Sequence, residues 1–264
     1  MKTEQEVILL DRLENGIGKI TFNTPPLNLM TTDFNRCLTQ KLMEIREDDE
    51  IRVVIITGAG TKAFSAGADI KEFAKFIAAG TMIQEKLRQE CATLDLLELL
   101  PQPTIAAVNG VVLGGGLELL LCCDYIILPD HIKLGFPEIQ LGLFPGSGGL
   151  VRLPKRIGAE RAKELMLFGK MLTAQEAKEL KLANEILPAD EVYARALTCA
   201  EQLARMPRHA LRAVKQGIYD SILMPTQQGV QYSLGLMSQL LSDPDCWEGV
   251  EAFLQKREPH FNRS

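Results

Sequence analysis

Short apolar runs recur through the first half of the chain and give way to amphipathic stretches in the second. Val7–Leu10 and Ile17–Phe22 read as paired strands, with Glu14, Asn15 and Gly16 as the turn between them. Thr31 to Asp49 reads as a helix: Thr31, Thr32 and Asp33 offer caps, and Phe34, Leu38, Leu42 and Ile45 fall on one stripe. Val53–Thr57 is a strand without a polar break, ended by Gly58, Ala59 and Gly60. Residues 61 to 70 read as a loop, and Ile70 to about Leu100 as helices broken near Gly80. After Pro101 and Pro103 come a buried strand at Thr104–Val108, a glycine turn, a helix from about Gly115 and a strand at Tyr125–Leu128.

Strands apolar on both faces, alternating with helices, predict an α/β core whose sheet is covered on both sides. Periodicity does not choose between an open sheet and a spiral of successive strand–turn–helix units. After Gly146 the pattern turns helical. Thr173 and Glu176 have the spacing of a capping box. Ala189–Ala204, Arg208–Tyr219, Thr226–Leu241 and Pro244–Gln255 all read as helices, the last with Asp243 as N-cap and Pro244 at its first position. Residues 1–199 therefore read as an α/β core and 200–264 as a helical appendage or assembly surface. No linker or internal repeat is visible.

Composition narrows the function. Hydrophobic residues at 46% and charged residues at 24% suit a soluble globular chain. A net charge of −5 without a basic stripe argues against a nucleic-acid partner. The six cysteines form no CxxC pair and lie at no metal-ligand spacing from a histidine, so they read as small buried hydrophobes in a reducing compartment. Thr104 to Pro129 is long and apolar enough to raise a membrane span, but Asn109, Glu118, Asp124 and four glycines would be costly in lipid. The N-terminal residues are too acidic for a targeting segment. A cytoplasmic protein of bacterial type is the resulting expectation.

Three segments carry candidate chemistry. Ala63 to Asp69 follows a buried strand, and its small residues Ala66, Gly67 and Ala68 would let a ligand approach the backbone; an ordinary strand-to-helix connection is the plainer alternative. Asn109 to Glu118 opens a helix with Gly114, Gly115 and Gly116, whose N–H groups suit an anion or oxyanion. It is neither a GxGxxG nor a P-loop pattern. Glu118 lies one turn into that helix among Leu117, Leu119, Leu120 and Leu121, where an unpaired carboxylate is costly. The third segment, Gly135 to Gly149, puts Glu138 in a mostly apolar loop walled by Pro137, Pro145 and glycines. Two carboxylates without a nearby histidine do not suit zinc, and magnesium would lack a phosphate-binding motif, so no metal is expected. His131, His209 and His260 lie outside these segments and no GxSxG elbow occurs, which disfavours a serine triad. Carboxylate acid/base work beside backbone anion donors remains.

Taken together, Ala63 to Lys71, Ala106 to Gly110 with Gly114 to Glu118, Pro137-Glu138 and Pro145 to Gly149 closely resemble the crotonase family. The resemblance runs from Val7 to the segment Glu248–Arg257, nearly the whole chain. It implies a spiral of ββα units with a C-terminal helical trimerisation region, assembled as a trimer or as a hexamer of two trimers. It implies an acyl-CoA thioester substrate and no separate cofactor. The family's oxyanion donors correspond to the N–H groups of Ala68 and Gly115; losing one such donor costs roughly 3–4 kcal/mol of barrier. Hydratases of the family fill both acid/base positions, here Glu118 and Glu138. By resemblance Glu138 protonates the α-carbon, and Glu118 orients and deprotonates the water that attacks the β-carbon. Coenzyme and acyl contacts would come from Leu27, from Ala66, Gly67, Ala68, Asp69, Ile70 and Lys71, and from Gly114, Gly115, Pro137 and Gly146. Phe253 and Lys256 would bind the adenosine end, often from a neighbouring subunit.

The chain departs from the family in carrying Leu29 where alanine is frequent and Leu117 where cysteine is frequent; Leu29 would reshape the acyl pocket. The segment Phe73 to Glu98 varies across the family, so acyl length and branching are not read from it. The resemblance points to a 2-trans-enoyl-CoA hydratase. A Δ3,Δ2-enoyl-CoA isomerase, which generally needs only the position of Glu138, and a non-catalytic acyl-CoA-binding or RNA-associated relative are the alternatives.

Overall fold

The computed structural model describes residues 6 to 262. Ile8–Leu13 and Ile17–Phe22 pair antiparallel, closed by a turn in which Asn15 takes a left-handed φ of 62° that asparagine tolerates. They begin a six-stranded sheet that continues through Val53–Gly58, Thr104–Ala107, Tyr125–Pro129 and Glu185–Leu187, all parallel. A second, four-stranded sheet holds Ala63–Ser65, Val111–Leu113 and Lys133–Gly135 in parallel, with Met171–Thr173 antiparallel at its edge.

The second sheet makes the fold a spiral rather than an open sheet. Each turn places a strand in the large sheet, then a short strand in the small one, then a helical segment. Val53–Gly58 and Ala63–Ser65 lead to the helix Ile70–Ala79; Thr104–Ala107 and Val111–Leu113 lead to Gly115–Leu121; Tyr125–Pro129 and Lys133–Gly135 lead to the 3-10 turn Glu138–Leu141. Two expectations are corrected here. Residues 61 to 70 contain the strand Ala63–Ser65, and the chain beyond Gly146 keeps two strands, Met171–Thr173 and Glu185–Leu187. All three are three residues long, too short for a period to register, and pairing with neighbouring strands makes them.

Alternation within the large sheet divides its side chains between two layers. Val54, Ile56, Ala106 and Ile126 join the main core, which includes the stripe Phe34, Leu38, Leu42 and Ile45 of the helix Thr32–Glu47. Val53, Ile55, Ile105 and Ile127 face the other way, onto Ala196, Ala200 and Ala204 of the helix Val192–Ala204. Both faces are thus dry, as the unbroken apolar runs require. Thr31 caps the first of these helices by accepting from Phe34 N–H, and the Thr173–Glu176 capping box forms as its spacing predicts. The break after Ala79 falls at Gly80, in the left-handed region with φ 69°. The stretch from Thr104 to Pro129 folds as strand, strand, helix and strand, and no helix among the described residues is long and apolar enough to cross a membrane.

The last helices are Arg208–Ser221, Thr226–Leu240 and Pro244–Gln255, with Asp243 accepting from Asp245 N–H at the final N-terminus. They carry many exposed apolar side chains, among them Ile218, Val230, Leu234, Trp247 and Leu254.

One contact fixes the small sheet to the helix behind it. A Cβ on Gly116 would stand 2.3 Å from the carbonyl oxygen of Ser65. Backbone cannot yield as a side chain can, so Gly116→Ala is expected to destabilise the chain by about 3 kcal/mol, the upper end for overpacking. Denaturant unfolding monitored by circular dichroism would measure it; an unchanged midpoint would show that the strand and helix can separate freely.

Candidate active site

Ala63–Ser65, Val111–Leu113 and Lys133–Gly135 are neighbours in the small sheet, and each hands the chain to one of the motif segments. Ala66 to Ala68 follows the first, Gly114 to Glu118 the second, and Pro137-Glu138 the third. Segments far apart in sequence therefore meet along one edge. They surround a cavity of about 470 Å³ whose flanks are apolar, with Phe73, Ile77, Met82, Ile83, Leu141 and Phe144 among them.

The first two loops touch backbone to backbone. Gly67 adopts φ 83°, and a Cβ there would lie 2.7 Å from Leu113 O and 3.1 Å from Gly115 N. Only glycine permits that approach. It sets the N–H groups of Ala68 and Gly115 beside the cavity, and among the described residues no acceptor takes either one. Gly115 opens the helix Gly115–Leu121, where the N–H groups have no intrahelical partner.

Glu118 sits in the first turn of that helix, 3% exposed. Its Oε1 accepts from the N–H groups of Ser147 and Gly149, both at 2.7 Å. Burial pushes its pKa up to about 8, against the Gly149 N–H, which favours the charged form. Glu138 stands at the start of the 3-10 turn Glu138–Leu141; its Oε1 would lie 2.7 Å from a Cβ on Gly114, over the glycine loop. Its Oε2 is buried without a hydrogen-bond partner, and burial raises its pKa to about 7. Two carboxyls at the floor of one cavity, each holding a proton near neutrality, can exchange roles as acid and base.

A larger cavity of about 540 Å³ lies under the helix Arg208–Ser221, lined in part by Leu121, Val214 and Ile218. Its acidic groups are already engaged: Asp124 accepts from Thr104 N–H and Lys215, and Glu98 from Arg152. It offers no comparable acid/base pair.

Ala66, Gly67, Ala68, Ile70, Gly114, Gly115, Glu118, Pro137, Glu138 and Gly146 all border the smaller cavity. The other expected residues do not. Leu27 gives its carbonyl to Ala66 N–H, and Asp69 caps the helix Ile70–Ala79 by accepting from Lys71 N–H, so these three shape the loop rather than the cavity wall. Phe253 is 83% exposed, and Lys256 ends the helix Pro244–Gln255 with φ 55°; the single chain does not bring either to the cavity. Leu29 is also absent from the wall, and Leu117 is buried in the core.

Sequence reasoning passed over a third carboxylate at the cavity floor, Glu90, which is 2% exposed. The signal was present: Glu90, Leu94 and Leu97 share one face of the helix Arg88–Glu98, so the carboxylate falls on an apolar stripe. Lys86, one turn earlier, is buried beside it.

Residues 12–264 match the model of the family described as enoyl-CoA hydratase/isomerase. A Mycobacterium bovis protein named "Probable enoyl-CoA hydratase" is 37% identical over 97% of this chain and 98% of its own length. A Dictyostelium discoideum protein named "Probable enoyl-CoA hydratase, mitochondrial" is 36% identical over 93% of this chain and 87% of its own. The crystal structure of an enoyl-CoA hydratase from Bacillus anthracis superposes with a TM-score of 0.93 at 37% identity, covering 98% of this chain and all of that one. With a spiral of two sheets, C-terminal helices and the three motif segments gathered round one cavity, the chain belongs to the enoyl-CoA hydratase/isomerase family, the crotonases.

Proposed function

We propose that this protein is an enoyl-CoA hydratase, adding water across the double bond of a 2-trans-enoyl-CoA to give the 3-hydroxyacyl-CoA. The observation that carries the reading is the pair Glu118 and Glu138, one buried and one half-buried carboxyl with raised pKa values at one apolar cavity. An isomerase moves one proton and has no evident use for the second carboxyl; a binding protein has no use for either, since burying both is costly.

In this reading the thioester oxygen lies between the N–H groups of Ala68 and Gly115. Hydration places negative charge there as the enolate develops, and preformed donors stabilise it without reorganising. Glu118, oriented through Ser147 and Gly149, takes a proton from water as the water oxygen bonds to the β-carbon. Glu138 gives its proton to the α-carbon. Each elementary transfer uses one carboxyl, and the proton lost by one is balanced by that gained by the other. The unpartnered Glu138 Oε2 supports the role, because a buried acceptor without a partner is relieved when a substrate occupies the cavity. The apolar flanks suit an acyl chain. Coenzyme A belongs to the substrate, so no further cofactor is needed.

The same reading assigns residues 200–264 to assembly as a trimer or hexamer. It is supported by the many exposed apolar side chains of the last three helices, which assembly would cover. A neighbouring subunit would then supply Phe253 and Lys256 to the coenzyme. Sedimentation at micromolar concentration is expected to give a multiple of three; a monomer would remove this assignment.

Loss of the conjugated thioester absorbance of crotonyl-CoA, and of a longer 2-trans-enoyl-CoA, tests the activity. Glu118→Gln and Glu138→Gln are each expected to lower kcat for hydration by about a thousandfold, within the usual range for general acid–base catalysis. Hydration that survives Glu118→Gln, or an enzyme that only moves a double bond, would favour the isomerase. A bell-shaped pH dependence of kcat/KM is expected, centred between the pKa values of about 7 and about 8 that burial gives Glu138 and Glu118.

Stability gives a separate test. Both carboxyls hold their protons more tightly folded than unfolded. Their contribution to stability is full below the ordinary value of 4.5 and is lost as pH rises through about 8 for Glu118. Glu118→Gln is neutral throughout, so its melting temperature should gain on that of the wild type as pH is raised from about 5 to about 9. A difference that stays constant in calorimetry would contradict this account of Glu118.

A further inference from the structure

Glu90 and Lys86 are buried charges with no part in the reaction as written. Lys86 lies in the π-helical turn Met82–Leu87 and is 1% exposed; its Nζ donates to Met30 O at 3.0 Å and to Glu72 Oε2 at 3.3 Å, and stands 3.9 Å from Glu90 Oε2. Glu90 lines the cavity floor, and a Cβ on Gly115 would lie 3.2 Å from its Oε1. Ser147 lies at the same cavity and favours the charged form of the Glu90 carboxyl, while its N–H donates to Glu118 Oε1 at 2.7 Å. The two carboxylates thus have Ser147 as a common neighbour. The helix Arg88–Glu98 is also seated on that loop, with Cys91 Sγ 3.7 Å from Gly146 O.

A buried ion pair seldom adds net stability over apolar side chains of the same size, and a cavity floor of leucine would be cheaper. Its position against Gly115 and Ser147 points elsewhere.

We propose that Glu90, anchored by Lys86 and seated against Gly115, is a positioning residue of the acid/base site: it places a second negative charge beside Glu118 at the cavity that both line. The inference rests on the hydratase reading. The groups that face Glu90 are Lys86 from the π-helical turn, Glu72 from the helix Ile70–Ala79, Cys91 from its own helix and Glu118 from the helix Gly115–Leu121. Arg152 holds the far side of Ser147 through its carbonyl at 3.0 Å and is itself engaged by Asp95 and Glu98; Glu138 faces Glu118 but does not act on Glu90. Of these, Glu90 adds to burial in raising the Glu118 pKa.

The midpoint of a two-group bell is the mean of its two pKa values, whichever carboxyl carries the proton. Removing a neighbouring negative charge lowers the Glu118 value and leaves Glu138 alone. Glu90→Gln keeps the shape of the side chain and removes its charge. Its kcat/KM optimum for crotonyl-CoA is therefore expected to move to lower pH by about half a unit. An optimum that stays in place overturns the proposal; lower kcat at an unmoved optimum would make Glu90 a packing residue. Should Glu90→Gln melt below the assay temperature, its profile is taken below its melting point beside the wild type at the same temperature and is judged by the same shift. If Glu118→Gln abolishes hydration while the Glu90→Gln optimum is unmoved, only this proposal fails. If the wild type hydrates no enoyl thioester, the hydratase reading fails instead, and the ¹³C carboxyl resonance of Glu118, followed against pH in wild type and Glu90→Gln, decides the coupling alone: a lower Glu118 titration supports it and an unchanged one overturns it.

Discussion

Three short parallel strands run side by side in the small sheet, and the loops that leave their C-terminal ends build the site. Neighbouring strands stand about 4.8 Å apart, so Ala63–Ser65, Val111–Leu113 and Lys133–Gly135 deliver three loops to within one ligand's reach. The large sheet makes this arrangement rigid. Its strands are buried on both faces, its helices pack against both layers, and each turn of the spiral is displaced from the last by one strand spacing. The glycines at 67, 115 and 116 take the loops the remaining distance, to where an added Cβ would meet backbone or the Glu90 carboxyl.

Burial decides the chemistry of the carboxyls. Glu118, Glu138 and Glu90 would be ordinary ionised side chains at the surface; beneath the cavity each has its pKa raised by desolvation. Their surroundings then differ. Glu118 has two backbone donors on one oxygen, Glu138 has an oxygen with no partner, and Glu90 has a lysine 3.9 Å away. Three identical side chains thus become three distinct groups.

The large sheet was legible because its strands are long enough to carry a pattern: Val53–Gly58 and Thr104–Ala107 are apolar without a break, and the helix Thr32–Glu47 shows its stripe. The choice between a spiral and an open sheet was not legible, because it turns on three-residue strands such as Ala63–Ser65, which only their partners define. Glu118 could be singled out because leucines surround it along the chain. Glu90 could not be found by that test: its immediate neighbours are Gln89 and Cys91, and its apolar setting comes from residues a turn or more away and from the glycine loop packed against it. Leu27 and Asp69 illustrate the opposite error, residues of a motif that support the loop's own hydrogen bonds while the cavity wall is made by others.

The groups of Ala68 and Gly115 that face the cavity are peptide N–H groups, common to nearly every amino acid. Most codon changes at those positions alter bulk and leave the donor in place, with proline the exception. The carboxyls have no such protection, since a single base change replaces either. A lineage carrying this scaffold can therefore lose or exchange its cavity carboxyls one at a time while the backbone donors beside the cavity persist.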